Sequence, residues 1–81
     1  MRQFGVVTYS LPQGGDVEVM IHDVTGRRVR RLVKAFRSGG VQHSVGWNAQ
    51  DDDRRLVRPG VYLVRVTFGG KTISKRVTVM P

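Results

Sequence analysis

Apolar and polar residues alternate in short bursts along this chain, and clusters of glycine, proline and aspartate separate the bursts. A period of two puts every second side chain on one face of an extended backbone, so each burst predicts a strand. The cleanest is 17–23, with Val17, Val19 and Ile21 on one face and Glu18, Met20 and His22 on the other. Before it, Phe4, Val6, Tyr9 and Leu11 mark a first strand that stops at Pro12-Gln13-Gly14-Gly15-Asp16. After it, Asp23-Val24-Thr25-Gly26 reads as a turn. An aspartate side chain there accepts from the backbone two residues on, and Gly26 takes a positive φ without a Cβ clash.

The segment 27–36 is ambiguous. Val29, Leu32, Val33 and Phe36 have helical spacing, which would make a basic amphipathic helix. A strand with a bulge near Arg30-Arg31 accounts for the same residues, and the short turns on either side favour it. Arg37-Ser38-Gly39-Gly40 is a turn, and 41–48 alternates again with Val41, His43, Val45 and Trp47 on one face. Leu56-Val57 predicts a brief strand before Pro59 stops pairing.

The stretch from Gly46 to Thr67 organises the rest. Trp47 is the only tryptophan, and a ring of that size dominates a small core. Beyond the Pro59-Gly60 corner, Tyr62, Val64, Val66 and Phe68 alternate, so they share one face and can cover the indole. Gly69-Gly70 suits a tight hairpin turn into the last strand, where Ile73, Val77 and Val79 share a face with Lys75 as the odd member. Six or seven short strands at spacings of about ten residues predict an all-β protein, an antiparallel β-sandwich.

Eighty-one residues make one domain with a thin core. No cysteine is present, and that absence decides nothing about localisation. Fourteen Lys and Arg against six Asp and Glu give a formal charge of +8, which suits nucleic acid, lipopolysaccharide or an acidic surface as partner. The simpler reading is a solvated basic surface. No apolar run approaches the roughly 18–20 residues of a membrane span. No basic stretch precedes an apolar one at the start, so the expectation is a cytoplasmic protein or, in preference, an excised piece of a longer one.

Five phrases stand in order along this frame: Thr8-Tyr9-Ser10-Leu11-Pro12; Val19-Met20-Ile21-His22-Asp23-Val24-Thr25-Gly26-Arg27-Arg28-Val29-Arg30; Gly46-Trp47-Asn48; Pro59-Gly60-Val61-Tyr62-Leu63-Val64-Arg65-Val66; and Ser74-Lys75-Arg76-Val77-Thr78-Val79. Together they resemble the immunoglobulin-like domain of flagellar hook-capping proteins. They resemble still more closely the C-terminal sorting domains of type IX secretion cargo. The resemblance implies an immunoglobulin-like sandwich, found at the end of a large secreted bacterial enzyme or adhesin. It also implies reading by outer-membrane secretion or attachment machinery, and an extracellular or cell-surface location. The sequence departs from that pattern in two places. Asn48-Ala49-Gln50-Asp51-Asp52-Asp53-Arg54-Arg55 lacks the usual glycine, and the chain closes on Val79-Met80-Pro81 rather than on a lysine or arginine.

Candidate chemistry is sparse. Asp51, Asp52 and Asp53 offer oxygens to Ca²⁺, but adjacent residues do not all converge on one point, and Arg54, Arg55 and Arg58 stand ready to neutralise them. His22 and His43 fall on different strands with no cysteine to complete a zinc site. Ser10, Ser38, Ser44 and Ser74 occur without a nucleophile elbow, so no catalytic residue, no metal and no cofactor is predicted. The densest basic patch is Arg27, Arg28, Arg30 and Arg31 with Lys34. On a regular strand Arg28 and Arg30 share one face and Arg27 and Arg31 the other, so a bulge is needed to expose all four. These four are the predicted contact residues, joined through the resemblance by Lys75 and Arg76 in the last strand. The partners expected are outer-membrane components, anionic lipopolysaccharide and a parent catalytic domain, ahead of nucleic acid, because the aromatics fall on inward positions. The reading is a non-catalytic targeting or attachment module. Its rivals are a passive spacer and a carbohydrate-binding module that would stack sugars on Trp47 and Tyr62.

Overall fold

The computed structural model describes residues 5–80, with side chains from residue 8 onward. Phe4 and Pro81, and the side chain of Val6, therefore lie outside the described residues. Six strands follow in order: β1 (Gly5–Ser10), β2 (Gly15–Asp23), β3 (Arg28–Arg37), β4 (Gln42–Trp47), β5 (Gly60–Phe68) and β6 (Lys71–Val79). No helix occurs among the described residues. Every pairing is antiparallel, giving a four-stranded sheet β3-β2-β5-β6 and a two-stranded sheet β1-β4. The two layers share one core and form an immunoglobulin-like β-sandwich.

The core follows the alternation. Val17, Val19 and Ile21 of β2 and Tyr62, Val64 and Val66 of β5 are buried from the large sheet, and Tyr9 and Trp47 meet them from the small one. Trp47 is 3 % exposed, and its ring meets Tyr62 edge-on with centroids 5.4 Å apart at 67°. The polar end of each ring finds a backbone acceptor. The indole N–H donates to the Gln50 carbonyl at 2.8 Å, and the Tyr62 hydroxyl donates to the Arg58 carbonyl at 2.6 Å. The second bond runs four residues back along the chain, in the manner of a tyrosine corner.

Strand β3 resolves the ambiguity of 27–36 in favour of the strand, with two bulges in place of one. Val19 faces Val33 but Met20 faces Arg31, and Ile21 faces Arg30 but His22 faces Arg28. Leu32 and Val29 are thus the extra residues, and the bulges fall on either side of the expected Arg30-Arg31. Each bulge adds one residue to the period, so apolar Val29, Leu32 and Val33 all reach the core from an extended chain. Regular alternation resumes afterwards and turns Phe36 outward, where it is 65 % exposed. Phe36 was the fourth member of the helical series and is not a core residue.

Ile73 likewise occupies an inward register position opposite Val66 yet is 47 % exposed. The reason is width: two strands face four, and the start of edge strand β6 extends beyond their cover. Leu56-Val57 forms only an isolated bridge, Gln50 to Leu56, beside a Val57 N–H to Ala49 carbonyl bond of 2.9 Å. Gly69 and Gly70, with φ of 53° and 77°, make the two-residue turn between β5 and β6.

Candidate contact surface

The outer face of the four-stranded sheet is assembled from residues that the alternation turns away from the core. Across the strands the register aligns Lys34, Glu18, Thr67 and Thr72; then Arg31, Met20, Arg65 and Ser74; then Arg28, His22, Leu63 and Arg76. The double bulge makes this possible, because Arg28, Arg31 and Lys34 lie three residues apart and would not otherwise share a face.

The predicted basic set is therefore divided. Arg28 and Arg31 stand together on the outer face, not on opposite ones. Arg27 sits in the turn before β3, and Arg30 takes an inward position, half-buried, where its Nη1 donates to the Asp51 carbonyl at 3.3 Å. Arg76 joins the face from β6, whereas Lys75 lies on the opposite side of that strand, across from Val64. Arg65 completes the set and was not singled out from the sequence, although the same alternation that turned Tyr62 and Val64 inward placed it outside. The core residues Trp47, Tyr62, Val64 and Val66 are buried, so neither aromatic presents a face for stacking a sugar.

The acidic loop is engaged with β3. Asp52 accepts from the Arg31 backbone N–H at 3.0 Å through Oδ1, and its Oδ2 lies 3.3 Å from Arg28 Nε. The Asp52 N–H donates to the Val29 carbonyl at 3.0 Å. These contacts close the free edge of β3 where the bulges disturb it. Asp51 Oδ1 accepts from the backbone of Asp53 and Arg55. The Asp51 and Asp52 carboxylates thus turn to separate protein donors, and among the described residues no group of three ligands converges on a point that would hold Ca²⁺. Asp23 Oδ1 accepts from the Thr25 hydroxyl at 2.6 Å and from the Thr25 and Arg27 amides. The Thr25 hydroxyl, followed by the two backbone donors and the Arg27 charge, holds its carboxyl below the usual value of 3.8 against a smaller opposing effect of desolvation.

The histidines stay apart. His43 Nε2 donates to the Ser38 carbonyl at 2.8 Å and its ring lies 5.4 Å from that of Tyr9. His22 sits half-buried on the outer face, its Nδ1 without a hydrogen-bond partner among the described residues. Ser10, Ser38, Ser44 and Ser74 are exposed on separate elements.

The edges of the large sheet differ. β3 is capped at Val29 and Arg31 by Asp52, while β6 pairs with β5 along all nine residues and offers its other edge unpaired among the described residues. No helix among the described residues is long and apolar enough to cross a membrane.

Fold and surface together define a β-sandwich module with an open basic edge. No protein-family model matches the chain, and no curated protein matches it. Among solved structures, FlgD from P. aeruginosa is similar at a TM-score of 0.67 and 22% identity over 95% of this chain. The chain spans 60% of the length of that protein. The likeness is one of fold.

Proposed function

We propose that the chain is a non-catalytic attachment module, one that directs or fixes a larger secreted protein at the bacterial cell surface. The observation that carries this reading is strand β6: nine residues whose outer edge is unpaired among the described residues, with Lys71, Lys75 and Arg76 along it, in a sheet whose other edge is capped at Val29 and Arg31. Unpaired backbone groups accept an added strand, and the three cations select an acidic one. The resemblance to type IX sorting domains supports the same reading, with components of the export or attachment machinery as the partner and a parent catalytic domain as the cargo.

The test fuses residues 1–81 to the C-terminus of a reporter in a type IX host. An attachment module carries the reporter to the cell surface; a passive spacer leaves it in the periplasm. Affinity electrophoresis on plant and bacterial glycans separates the carbohydrate-binding reading, since an attachment module runs unretarded on all of them.

A second reading rests on the sequence resemblance to flagellar hook-capping proteins, with which the likeness in fold to FlgD is consistent: a structural piece of a flagellar assembly. Co-assembly with hook subunits, in place of export of the reporter, would select it.

A further inference from the structure

We propose that the outer face of the four-stranded sheet is a docking surface for an anionic phospholipid bilayer. This does not depend on the attachment reading above. The charge is one-sided. The outward positions of β3, β2, β5 and β6 hold five cations, Arg28, Arg31, Lys34, Arg65 and Arg76, against two carboxylates, Asp16 and Glu18. The outward positions of the small sheet, Thr8, Ser10, Gln42, Ser44 and Gly46, hold no charge at all. A net charge of +8 spread only for solubility has no reason to leave one layer neutral and crowd the other.

The arrangement also selects the shape of the partner. The cations occupy three successive rows across four strands, a plate roughly 14 Å on each side from strand and residue spacings. A two-dimensional array matches a planar sheet of phosphates, whereas a nucleic-acid strand is met by a line of cations with interleaved aromatics. No Phe, Tyr or Trp is interleaved among the three rows: the exposed Phe36 lies beyond them, opposite Asp16, and the one ring within them is that of His22. Their uncharged centre is Met20 and Leu63, with Val61, 37 % exposed, beside it. Arginine stems lie along such apolar side chains and carry the guanidinium outward to a headgroup phosphate, which it grips with two parallel hydrogen bonds. Glu18 takes Arg31 at 3.5 Å and Asp52 takes Arg28 at 3.3 Å. Lys34, Arg65 and Arg76 have no carboxylate within ion-pair distance among the described residues and remain available.

The test is co-sedimentation of the 81-residue chain with vesicles of phosphatidylglycerol and phosphatidylcholine. Binding is expected to rise with the anionic fraction, to vanish on pure phosphatidylcholine and to be released by high salt. A cation near an anionic surface is worth roughly fivefold in partitioning, so Lys34→Gln, Arg65→Gln and Arg76→Gln together should lower it on the order of a hundredfold. The matched triple Arg54→Gln, Arg55→Gln and Arg58→Gln removes the same charge from the exposed loop and should leave binding within a few-fold. Circular dichroism checks that both triples are folded. Equal losses from the two triples, no binding to anionic vesicles, or equally tight and equally mutation-sensitive binding of duplex DNA would each overturn the proposal.

Discussion

Asp23 and Asp51 head two turns with the same hydrogen bonds. Each side-chain Oδ1 accepts from the amides two and four residues on, at 2.9 and 3.0 Å in both turns. Each carbonyl accepts from the amide three residues on, and each amide donates to the carbonyl four residues on. The fourth residue of both turns takes a positive φ: 88° at Gly26 and 64° at Arg54.

That equivalence predicts a stabilising substitution. A side chain held in the left-handed region costs roughly 1–2 kcal/mol, offset by the 0.5–1 kcal/mol that glycine loses in unfolded-state entropy. Arg54→Gly should therefore raise the stability by about 0.5–1 kcal/mol, seen as a higher urea midpoint at unchanged slope. A lower midpoint would show that the Arg54 side chain contributes more than its backbone loses.

The first of the two turns should respond to acid. The lowered carboxyl of Asp23 means that its contribution is present above pH 3.8 and is lost as pH falls through the folded-state value. In an NMR titration the Asp23 carboxyl should turn over below 3.8, and Thr25→Val should move it upward. An unchanged midpoint in that variant would remove the hydroxyl as the leading cause.

Tyr62 predicts the opposite limb. Burial pushes its phenol above 10.0, Asp23 adds to the shift and Arg58 opposes it. The folded state then holds the proton more tightly, so this contribution is complete below pH 10 and is lost as pH rises through the folded value. Tyr62→Phe should cost about 1 kcal/mol at neutral pH through the lost bond to Arg58, and should show a shallower loss of stability above pH 10. Parallel alkaline curves for the two proteins would contradict the assignment.

Gly39 is fixed by contact. A Cβ there would clash with the backbone of Gln13, while the Gly40 amide donates to the Leu11 carbonyl at 2.9 Å. Two glycine-containing turns thus meet backbone to backbone. Gly39→Ala should destabilise by roughly 1–3 kcal/mol in thermal denaturation, because the listening partner is main chain and cannot rotate away. A melting temperature within a degree of the parent's would show that the loop yields.

The sandwich was legible where the period was regular. Val17, Val19, Ile21, Tyr62, Val64 and Val66 read as core from alternation alone and lie in it. β3 was harder because two bulges within seven residues imitate a helix: Arg28, Arg31 and Lys34 on one side, Val29, Leu32 and Val33 on the other. Only pairing with β2 decides between the two periods, and pairing is not written in one segment. Phe36 faces outward because regular alternation resumes after the bulges, whereas Ile73 shares the expected face with Val77 and Val79 and is exposed because apolar character says nothing about how far the opposite layer extends. The basic face was half visible. Its β3 residues formed a run in the sequence, but Arg65 and Arg76 come from distant segments and join only through register. The contact at Gly39 left no trace in the sequence beyond the glycine itself.

Everything placed on these surfaces presumes that Trp47 ties the small sheet to the large one. Equilibrium urea unfolding of Trp47→Ala, followed by far-ultraviolet circular dichroism, tests this most directly. A loss of about 3–5 kcal/mol, or a chain already unfolded without urea, is predicted for a ring buried against Tyr62. A loss below about 0.5 kcal/mol, the range of an exposed site, would contradict it.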